Sequence, residues 1–215
     1  MTQNAWPFYE IRVKTPRLEL RYVDDDLGTE LAQLAARGVH DPGFMPFAIP
    51  WTDVEPEELG PNTMQYFWHC KAEISPDKWS LNFAVVAEET VVGCATLTTE
   101  NFPIVRQFET GSWLGSAYQG RGLGRELREA ALHLGFAGLG ATRATTGAFD
   151  DNAPSLGVTR SLGYSTNGME RKVRRGALAN NLRFTLDADD WTNRLRRSDI
   201  SIENLDACLP ILGLA

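Results

Sequence analysis

Two periodicities in the placement of hydrophobic residues divide the chain into strands and helices. The run RLELRYV (17–23) alternates Leu18, Leu20 and Tyr22 with charged residues, which is typical of a half-buried strand. The segment after it, DDDLGTELAQLAARGVH, begins with aspartates that can cap a helix and repeats its leucines at helical spacing. These two patterns predict a strand followed by a helix.

The remaining elements follow from the same patterns. Met64, Phe67 and Trp68 recur at threes and fours, which predicts a second helix from about Pro61. Two strand-like runs around a short polar turn predict an antiparallel hairpin, and a later helix is expected to end at Gly163. The complete order, β-α-α-β-β-β-α-β-α-β-β, predicts an α/β mixed sheet with helices packed against it, in a single domain over residues 1–215. Its later members are the runs 80–89, 91–101, 106–115, 124–140, 141–149 and 152–164, followed by two strand-like runs that finish at NNLRFTLDADDW (180–191).

The most regular helical pattern is the segment GRELREAALHLGFAGLG. Its apolar stripe follows the spacing i, i+4, i+7, i+11, i+14, whereas Glu126, Arg128, Glu129 and His133 lie outside the stripe, as in an amphipathic helix. The members of the stripe are Leu123, Leu127, Ala130, Leu134 and Ala137.

Composition and charge narrow the class of protein. The formal net charge of −7 disfavours a general nucleic-acid binder, and we expect the one basic run, RKVRRG (171–176), to be a solvated hairpin. The first residues carry charges and no membrane-length apolar run occurs, so a soluble, cytoplasmic protein is expected. Three scattered cysteines and three scattered histidines, none at the spacing of a zinc site, predict neither a disulfide framework nor a metal centre.

The candidate chemistry lies in the segment YQGRGLGREL (118–127). Three glycines stand between an expected strand and the most regular helix, where a helix N-terminus offers free N–H groups and a partial positive charge. Such a turn is suited to bind phosphate, and Arg121 and Arg125 can add charge at its rim. A P-loop, a dinucleotide fingerprint and a nucleophile elbow are each disfavoured, because the lysine, the third glycine and the serine that they need are not in place.

These residues resemble the GNAT acyltransferases. QGRGLG (119–124) matches their Q/R-x-x-G-x-G/A loop, whose backbone holds the pyrophosphate of coenzyme A. ETGSWLGSAYQGRGLG and DDNAPSLGVTRSLGY are similar to the RimJ/RimL-like branch, and MPFAIPW and SWLGSAYQG to an actinobacterial subgroup in which succinyl-CoA is a reported ligand. Over nearly the whole chain, the resemblance implies a central, mostly antiparallel twisted sheet flanked by helices.

The resemblance also implies which residues hold the cofactor. Trp113 and Leu114 would run alongside the pantetheine and offer backbone hydrogen bonds to the thioester carbonyl. Asn152 would bind the pantetheine amides, and it is equally suited to cap the helix that follows. The pyrophosphate would be wrapped by the N–H groups of Gln119, Gly120, Arg121, Gly122, Leu123 and Gly124.

Acyl transfer to an amine requires removal of a proton and protonation of the leaving thiolate. Glu109 is the candidate base, because RimJ/RimL-like proteins often carry a carboxylate at this place in the strand. Many GNAT enzymes have a tyrosine seven residues after the helix asparagine, but Thr159 occupies that position here. Ser155 is therefore the candidate donor to sulfur.

The segment HDPGFMPFAIPW (40–51) lies where the acceptor-site wall of this family forms, and Met45, Phe47 and Trp51 are candidate lining residues or core residues. Acetyl-CoA and succinyl-CoA remain alternative donors, with Arg106 or His40 as possible partners for a succinyl carboxylate. The acceptor is expected to be a peptide N-terminus or a small-molecule amine, and the protein a homodimer. A CoA-binding sensor without turnover is the alternative from another class.

Overall fold

A single nine-stranded sheet forms the centre of the structure, a computed structural model that describes residues 5–214. The strand order is β7-β8-β6-β5-β4-β3-β2-β1-β9, and every neighbouring pair is antiparallel except β5 and β6. The mixed α/β architecture predicted from the sequence is thereby confirmed. The strands are β1 Arg12–Lys14, β2 Glu19–Tyr22, β3 Lys78–Ala87, β4 Thr90–Glu100, β5 Gln107–Leu114, β6 Arg143–Phe149, β7 Ser165–Arg174, β8 Ala177–Asp187 and β9 Ser201–Glu203.

Helices cover both faces of the sheet. On β3, Phe83 and Val85 pack in the large core that includes the helix after the glycine loop, whereas Ala84 and Val86 pack against the first two helices. This alternation gives the sheet two buried faces. The helices are α1 Asp25–Ala36, α2 Pro56–Ala72, α3 Phe102–Val105, α4 Leu123–His133, α5 Ala153–Ser161 and α6 Ala188–Arg194, and α4 continues as one π-helical turn over Leu134–Gly138.

One helix boundary and several short elements differ from the sequence-based prediction. Helix α2 begins at Pro56 rather than near Pro61, because Pro56 has the favoured first position and Glu57 and Glu58 add negative charge to the first turn. The short strands β1 and β9 and the helices α3 and α6 were not predicted. Strands of three residues are too short to show a period in the sequence.

Helix α4 departs from the expected amphipathic pattern. Glu126, Arg128 and His133, all outside the apolar stripe, are buried along with it. Burial lowers the pKa of His133, which favours the neutral imidazole. The helix therefore contacts other elements with polar as well as apolar side chains.

The apolar segment after Asp199 packs on its own chain. Strand β9 pairs with β1, and Leu205, Cys208 and Leu212 are buried in the large core. The three cysteines at positions 70, 94 and 208 are buried and free, as packing residues are. Residues 200–214 therefore pack on their own fold.

The feature that positions the site is a separation of two strands. The parallel pairing of β5 with β6 ends at Glu109 and Thr145, whereas β5 stays paired with β4 as far as Leu114. Strand β6 stays paired with β8 up to Phe149. The sheet therefore opens between the second half of β5 and the second half of β6.

Glu126 connects the first turn of α4 to the segment between β1 and β2. Its carboxylate accepts hydrogen bonds from Thr15 Oγ1 (2.7 Å), the Arg17 backbone N–H (3.0 Å) and Arg17 Nε (2.6 Å). Burial alone would raise the pKa of Glu126, but the hydrogen bonds from Thr15 and Arg17 outweigh it, so the pKa is lowered. The ionised carboxylate therefore stabilises the fold.

We predict that Glu126→Gln lowers the free energy of unfolding at pH 7 by about 1–3 kcal/mol, the usual contribution of hydrogen bonds to a charged group. A lowered pKa contributes stability above the unfolded value of 4.5 and loses it as the pH falls through the folded value. Urea unfolding at neutral and acid pH should show the two proteins converging in acid. A difference that is constant with pH would contradict this assignment.

Candidate active site

The glycine loop has the backbone geometry that the sequence indicated. Gly120 and Gly122 adopt positive φ values of 74° and 77°, and Gly122 is the N-cap of α4. A Cβ on Gly120 would meet no atom within 4 Å, so packing within the chain does not require glycine there. The left-handed conformation of the loop, with open space beside it, explains both glycines.

The loop presents unpaired backbone donors. Among residues 5–214, no backbone or side-chain acceptor receives a hydrogen bond from the N–H groups of residues 120–125. These groups lie at the N-terminus of an eleven-residue helix, where the helix dipole favours negative charge. A diphosphate fits this arrangement, because its oxygens are acceptors for several converging N–H groups.

Side chains hold the loop in place. Gln119 Nε2 donates to the carbonyl oxygens of Val39 (2.7 Å) and Leu114 (2.8 Å), which ties the loop to the end of α1 and the end of β5. Arg17 Nη1 donates to the Arg121 carbonyl oxygen at 3.2 Å. Both contacts leave the N–H groups of the loop free to bind a ligand.

The two basic residues of the loop differ in their contacts. The Arg121 side chain is exposed and its guanidinium lies 6.0 Å from the centre of the Tyr118 ring. Arg125 Nε donates to Glu129 at 3.0 Å, so part of its charge is neutralised. Leu123 and Gly124 present only backbone groups at the surface of the loop, since the Leu123 side chain is buried in the core and glycine has no side chain.

The open edge of β5 continues from the loop. From Thr110 to Leu114, this edge has no neighbouring strand in the described part of the chain. A linear chain with amide groups, such as pantetheine, fits an edge that offers strand-like backbone hydrogen bonds. The Trp113 indole contacts the Trp51 ring at a centroid distance of 5.6 Å, and thus lies on the face of the sheet covered by α1 and α2.

On the other side of the opening, β6 leads into helix α5. The Asn152 side chain accepts a hydrogen bond from the Ser155 N–H at 3.2 Å and caps the helix, as its sequence position indicated. Ser155 is half-buried, and Thr159, one turn later, is fully buried with no partner for its hydroxyl in the described structure. Asn152 and Ser155 are thus adjacent in space, as the N-x-x-S pattern requires.

Glu109 forms an ion pair that the sequence did not reveal. Arg183 of β8 donates Nη1 and Nη2 to the two carboxylate oxygens at 2.9 and 2.8 Å, and the Glu109 side chain remains 42% exposed. To reach β5, Arg183 crosses β6 at Gly147, where a Cβ would lie 2.6 Å from Nη1. The pairing raises the pKa of Arg183, whose side chain is mostly buried. No local signal connects two residues 74 positions apart, so only the strand order could identify this pair.

The loop between α1 and α2 forms an aromatic wall next to β5. The rings of Phe47 and Trp51 lie 5.2 Å apart, and Trp113 extends this row. Met45 of the same loop is buried, whereas Phe47 and Trp51 are half-buried. The structure therefore brings Phe47 and Trp51 together, whereas the buried Met45 is a core residue.

The basic run at 171–176 is not wholly solvated, which corrects the expectation for it. Arg174 binds Asp151 through two hydrogen bonds of 2.8 and 2.6 Å, and Arg175 binds Asp53 through two of 2.6 Å each. Both arginines also donate to carbonyl oxygens of the α1–α2 loop, those of Met45 and Pro42. The tip of the β7–β8 hairpin is thereby fastened to the aromatic wall. Charge composition alone could not show that these cations have acidic partners elsewhere in the chain.

Arg106 and His40, the two candidate partners for a succinyl carboxylate, lie in different parts of the structure. Arg106 precedes the first residue of β5, at the end opposite the glycine loop. The His40 ring contacts Phe47 in the wall, and its Nε2 pairs with Thr52 Oγ1 at 2.7 Å. Within residues 5–214, no group of three potential metal ligands and no helix able to cross a membrane is found.

Residues 17–165 match the acetyltransferase (GNAT) domain family. The match covers more than half of the chain and includes the glycine loop, the open edge of β5 and helix α5. The chain therefore belongs to the GNAT acetyltransferase family.

Solved structures of RimJ and RimL type share this fold. The Mycobacterium smegmatis RimJ in complex with CoA-disulfide has a TM-score of 0.73 at 18% identity, covering 90% of this chain and 92% of that one. RimL, a ribosomal L7/L12 alpha-N-protein acetyltransferase in complex with coenzyme A, has a TM-score of 0.66 at 18% identity over 82% and 97%. A GNAT-family acetyltransferase from Bacillus anthracis has a TM-score of 0.66 at 17% identity over 83% and 99%. At these identities the likeness shows the fold alone.

We predict that Gly122→Val weakens coenzyme A binding at least tenfold, because a β-branched residue is strained at a φ of 77° and displaces the N–H groups of the loop. Calorimetric titration with CoA measures the effect. Gly60→Val on α2 is the matched control, because a Cβ there meets no atom within 4 Å and should leave CoA affinity unchanged. Equal affinity in the Gly122 variant and the parent protein would argue against the loop as the phosphate site.

Proposed function

We propose that the protein transfers an acetyl group from acetyl-CoA to a primary amine. The observation that carries this proposal is the run of unpaired N–H groups at residues 120–125, next to the open edge of β5. These features offer one continuous site for a diphosphate and for the amide-containing arm joined to it. The thioester, when bound, supplies an activated acyl carbon and a thiolate leaving group.

The residues of the chain have separate tasks in this proposal. Residues 119–124 bind the diphosphate, and Arg121 and Arg125 add positive charge at the rim. Asn152 binds the pantetheine amides in addition to capping α5, and Ser155 donates a hydrogen bond towards the sulfur. The backbone N–H of Leu114, which points to the open edge of β5, donates to the carbonyl oxygen of the thioester, where a single well-placed donor contributes about 3 kcal/mol to catalysis. The Trp113 N–H points to β4 instead, which corrects the expectation that it also donates to the thioester.

Glu109 is the proposed base for the amine. Glu109 and Trp113 lie on the same face of β5, because their positions differ by four residues. The carboxylate is partly exposed, so it can accept a proton directly or through a water molecule. We propose that Arg183 fixes the orientation of this carboxylate. Such a base suits an amine with a pKa near 8 better than a lysine side chain, whose pKa is about 10.4.

The acceptor is proposed to be the α-amino group of a peptide or a small-molecule amine. Arg175 pairs with Asp53 of the α1–α2 loop, and Arg174 donates to the Met45 carbonyl oxygen of the same loop, so the hairpin tip is fastened beside the wall. We expect this arrangement to favour a slender acceptor with a free end. Phe47, Trp51 and Trp113 offer apolar contact to the part of the acceptor next to its amine. RimL, which shares the fold, is by its name an alpha-N-protein acetyltransferase.

Two alternatives have their own support. A succinyl donor is compatible with His40, whose ring borders the wall, although that ring already pairs with Thr52. A CoA-binding sensor without turnover is compatible with Thr159 in the place of the family tyrosine. A homodimer and a cytoplasmic location remain predictions from the sequence.

One experiment separates these candidates. Acetyl-CoA and succinyl-CoA are each titrated while thermal stability and free-thiol release are followed with a panel of peptides and small amines. Amine-dependent thiol release with acetyl-CoA is the expected result. Release with succinyl-CoA alone would support the succinyl donor, and stabilisation by CoA without release for any amine would support the sensor.

We predict that Glu109→Gln lowers kcat about 100-fold and leaves CoA affinity within twofold, because general-base catalysis contributes about 10²–10⁴-fold and the cofactor loop is untouched. Steady-state kinetics and CoA titration measure the two quantities. Glu100→Gln, at the exposed end of β4, is the matched control and should retain full turnover. Unchanged turnover in the Glu109 variant would refute the assignment of the base.

A further inference from the structure

Arg128 is a buried guanidinium without a carboxylate partner in the described structure. It lies on the side of α4 that faces the sheet, and its residue is 5% exposed. Nη1 donates to Thr146 Oγ1 at 3.2 Å, and Nη2 lies 3.5 Å from Ser112 Oγ. Nε has no acceptor. In the described structure, the acceptors of this permanently charged side chain are thus two neutral hydroxyls.

Such an arrangement calls for a physical reason. Buried charges in proteins are normally paired, because desolvation of an isolated charge is strongly unfavourable. Glu109 is paired to Arg183 and does not neutralise Arg128. The Tyr164 hydroxyl lies near Arg128 without a well-formed hydrogen bond; burial raises its pKa and the charge of Arg128 opposes that effect. The tyrosine is therefore neutral and supplies no counter-charge.

The Arg128 guanidinium lies at the opening between β5 and β6. Ser112 belongs to β5 and Thr146 to β6, and both follow the last paired residues of these strands, Glu109 and Thr145. Arg128 therefore spans the opening from the side of α4. Ser112 lies two residues before Leu114, whose backbone N–H is proposed to hold the thioester.

We propose that Arg128 stabilises the negative charge that develops on the sulfur of the departing thiolate. This inference rests on the proposed function. The nitrogen of the amine bonds to the acyl carbon, the carbon–sulfur bond breaks, and the sulfur leaves with the bonding electron pair. The proton of the amine passes to Glu109 or to water. Arg128 takes up no proton in this step and contributes only its charge.

With Arg128 in this role, departure of the thiolate does not depend on a tyrosine at position 159. A thiolate next to an arginine is stabilised, so its conjugate thiol has a lowered pKa and leaves without a proton donor. The effect is large in a buried site, because a fixed charge in a poorly polarisable environment is screened less than in water. The charge is in place before the reaction, since α4 and the two hydroxyls hold it there.

The test measures the pKa of the thiol in bound coenzyme A, which needs no turnover. Thiolate absorbance of the CoA complex is followed against pH for the parent protein, Arg128→Met and Arg128→Lys. In the parent protein, we expect the pKa of the bound thiol to lie at least about one unit below that of free CoA. Arg128→Met should return this pKa towards the free value, and Arg128→Lys should largely keep the lowered value. With amine and acetyl-CoA, Arg128→Met should lower kcat at least tenfold with little change in the KM of the amine.

Thermal unfolding distinguishes this role from a structural one. Because methionine of similar length replaces an unpaired buried charge, Arg128→Met should be as stable as the parent or more stable. Arg194→Met on α6, where the side chain is 69% exposed, is the matched control and should change neither the thiol pKa nor kcat.

Several results would overturn the inference. An unshifted thiol pKa in the parent protein refutes the inference by itself, even if Arg128→Met does not fold. A shifted pKa that survives in Arg128→Met also refutes it. The proposed function fails separately if CoA does not bind, or if it binds with a shifted thiol pKa and no amine is acylated.

Discussion

The end of the pairing between β5 and β6 at Glu109 and Thr145 is the constraint on which the rest of the site depends. Beyond this point, backbone groups of β5 lose their strand partner, and unpaired backbone groups are unfavourable unless something else satisfies them. Side chains take over part of this role: Thr146 Oγ1 donates to the Thr110 carbonyl oxygen, and Gln119 Nε2 to that of Leu114. The remaining edge is available to an extended ligand.

Strand β5 serves two sides of the site because its side chains alternate between the faces of the sheet. Phe108 and Leu114 pack in the core beneath α4, whereas Trp113 packs with the aromatic wall of the α1–α2 loop. The same strand thus connects the glycine loop to the proposed acceptor side. A displacement of β5 would disturb both sides at once.

The arginines around the site are divided by their partners. Arg174, Arg175 and Arg183 each have a carboxylate within 2.9 Å, and two of them fasten the hairpin tip to the wall. Arg128 alone among these four is bound by neutral hydroxyls. The paired arginines organise the structure, and Arg128 is the one for which we propose a role towards a ligand.

By itself, the sequence determined the order of the long elements, the mixed sheet and the glycine loop, because local spacing and left-handed turns leave a direct signal in neighbouring residues. The capping role of Asn152 was equally readable. Only the tertiary structure decided that Arg183 meets Glu109, that hairpin arginines bind Asp53 and Asp151, and that Arg128 is buried without an acid. These contacts depend on how the strands and loops are arranged in space. The pair of Arg183 and Glu109, for example, forms because β8, β6 and β5 are neighbours in the sheet, and no local sequence pattern encodes that order.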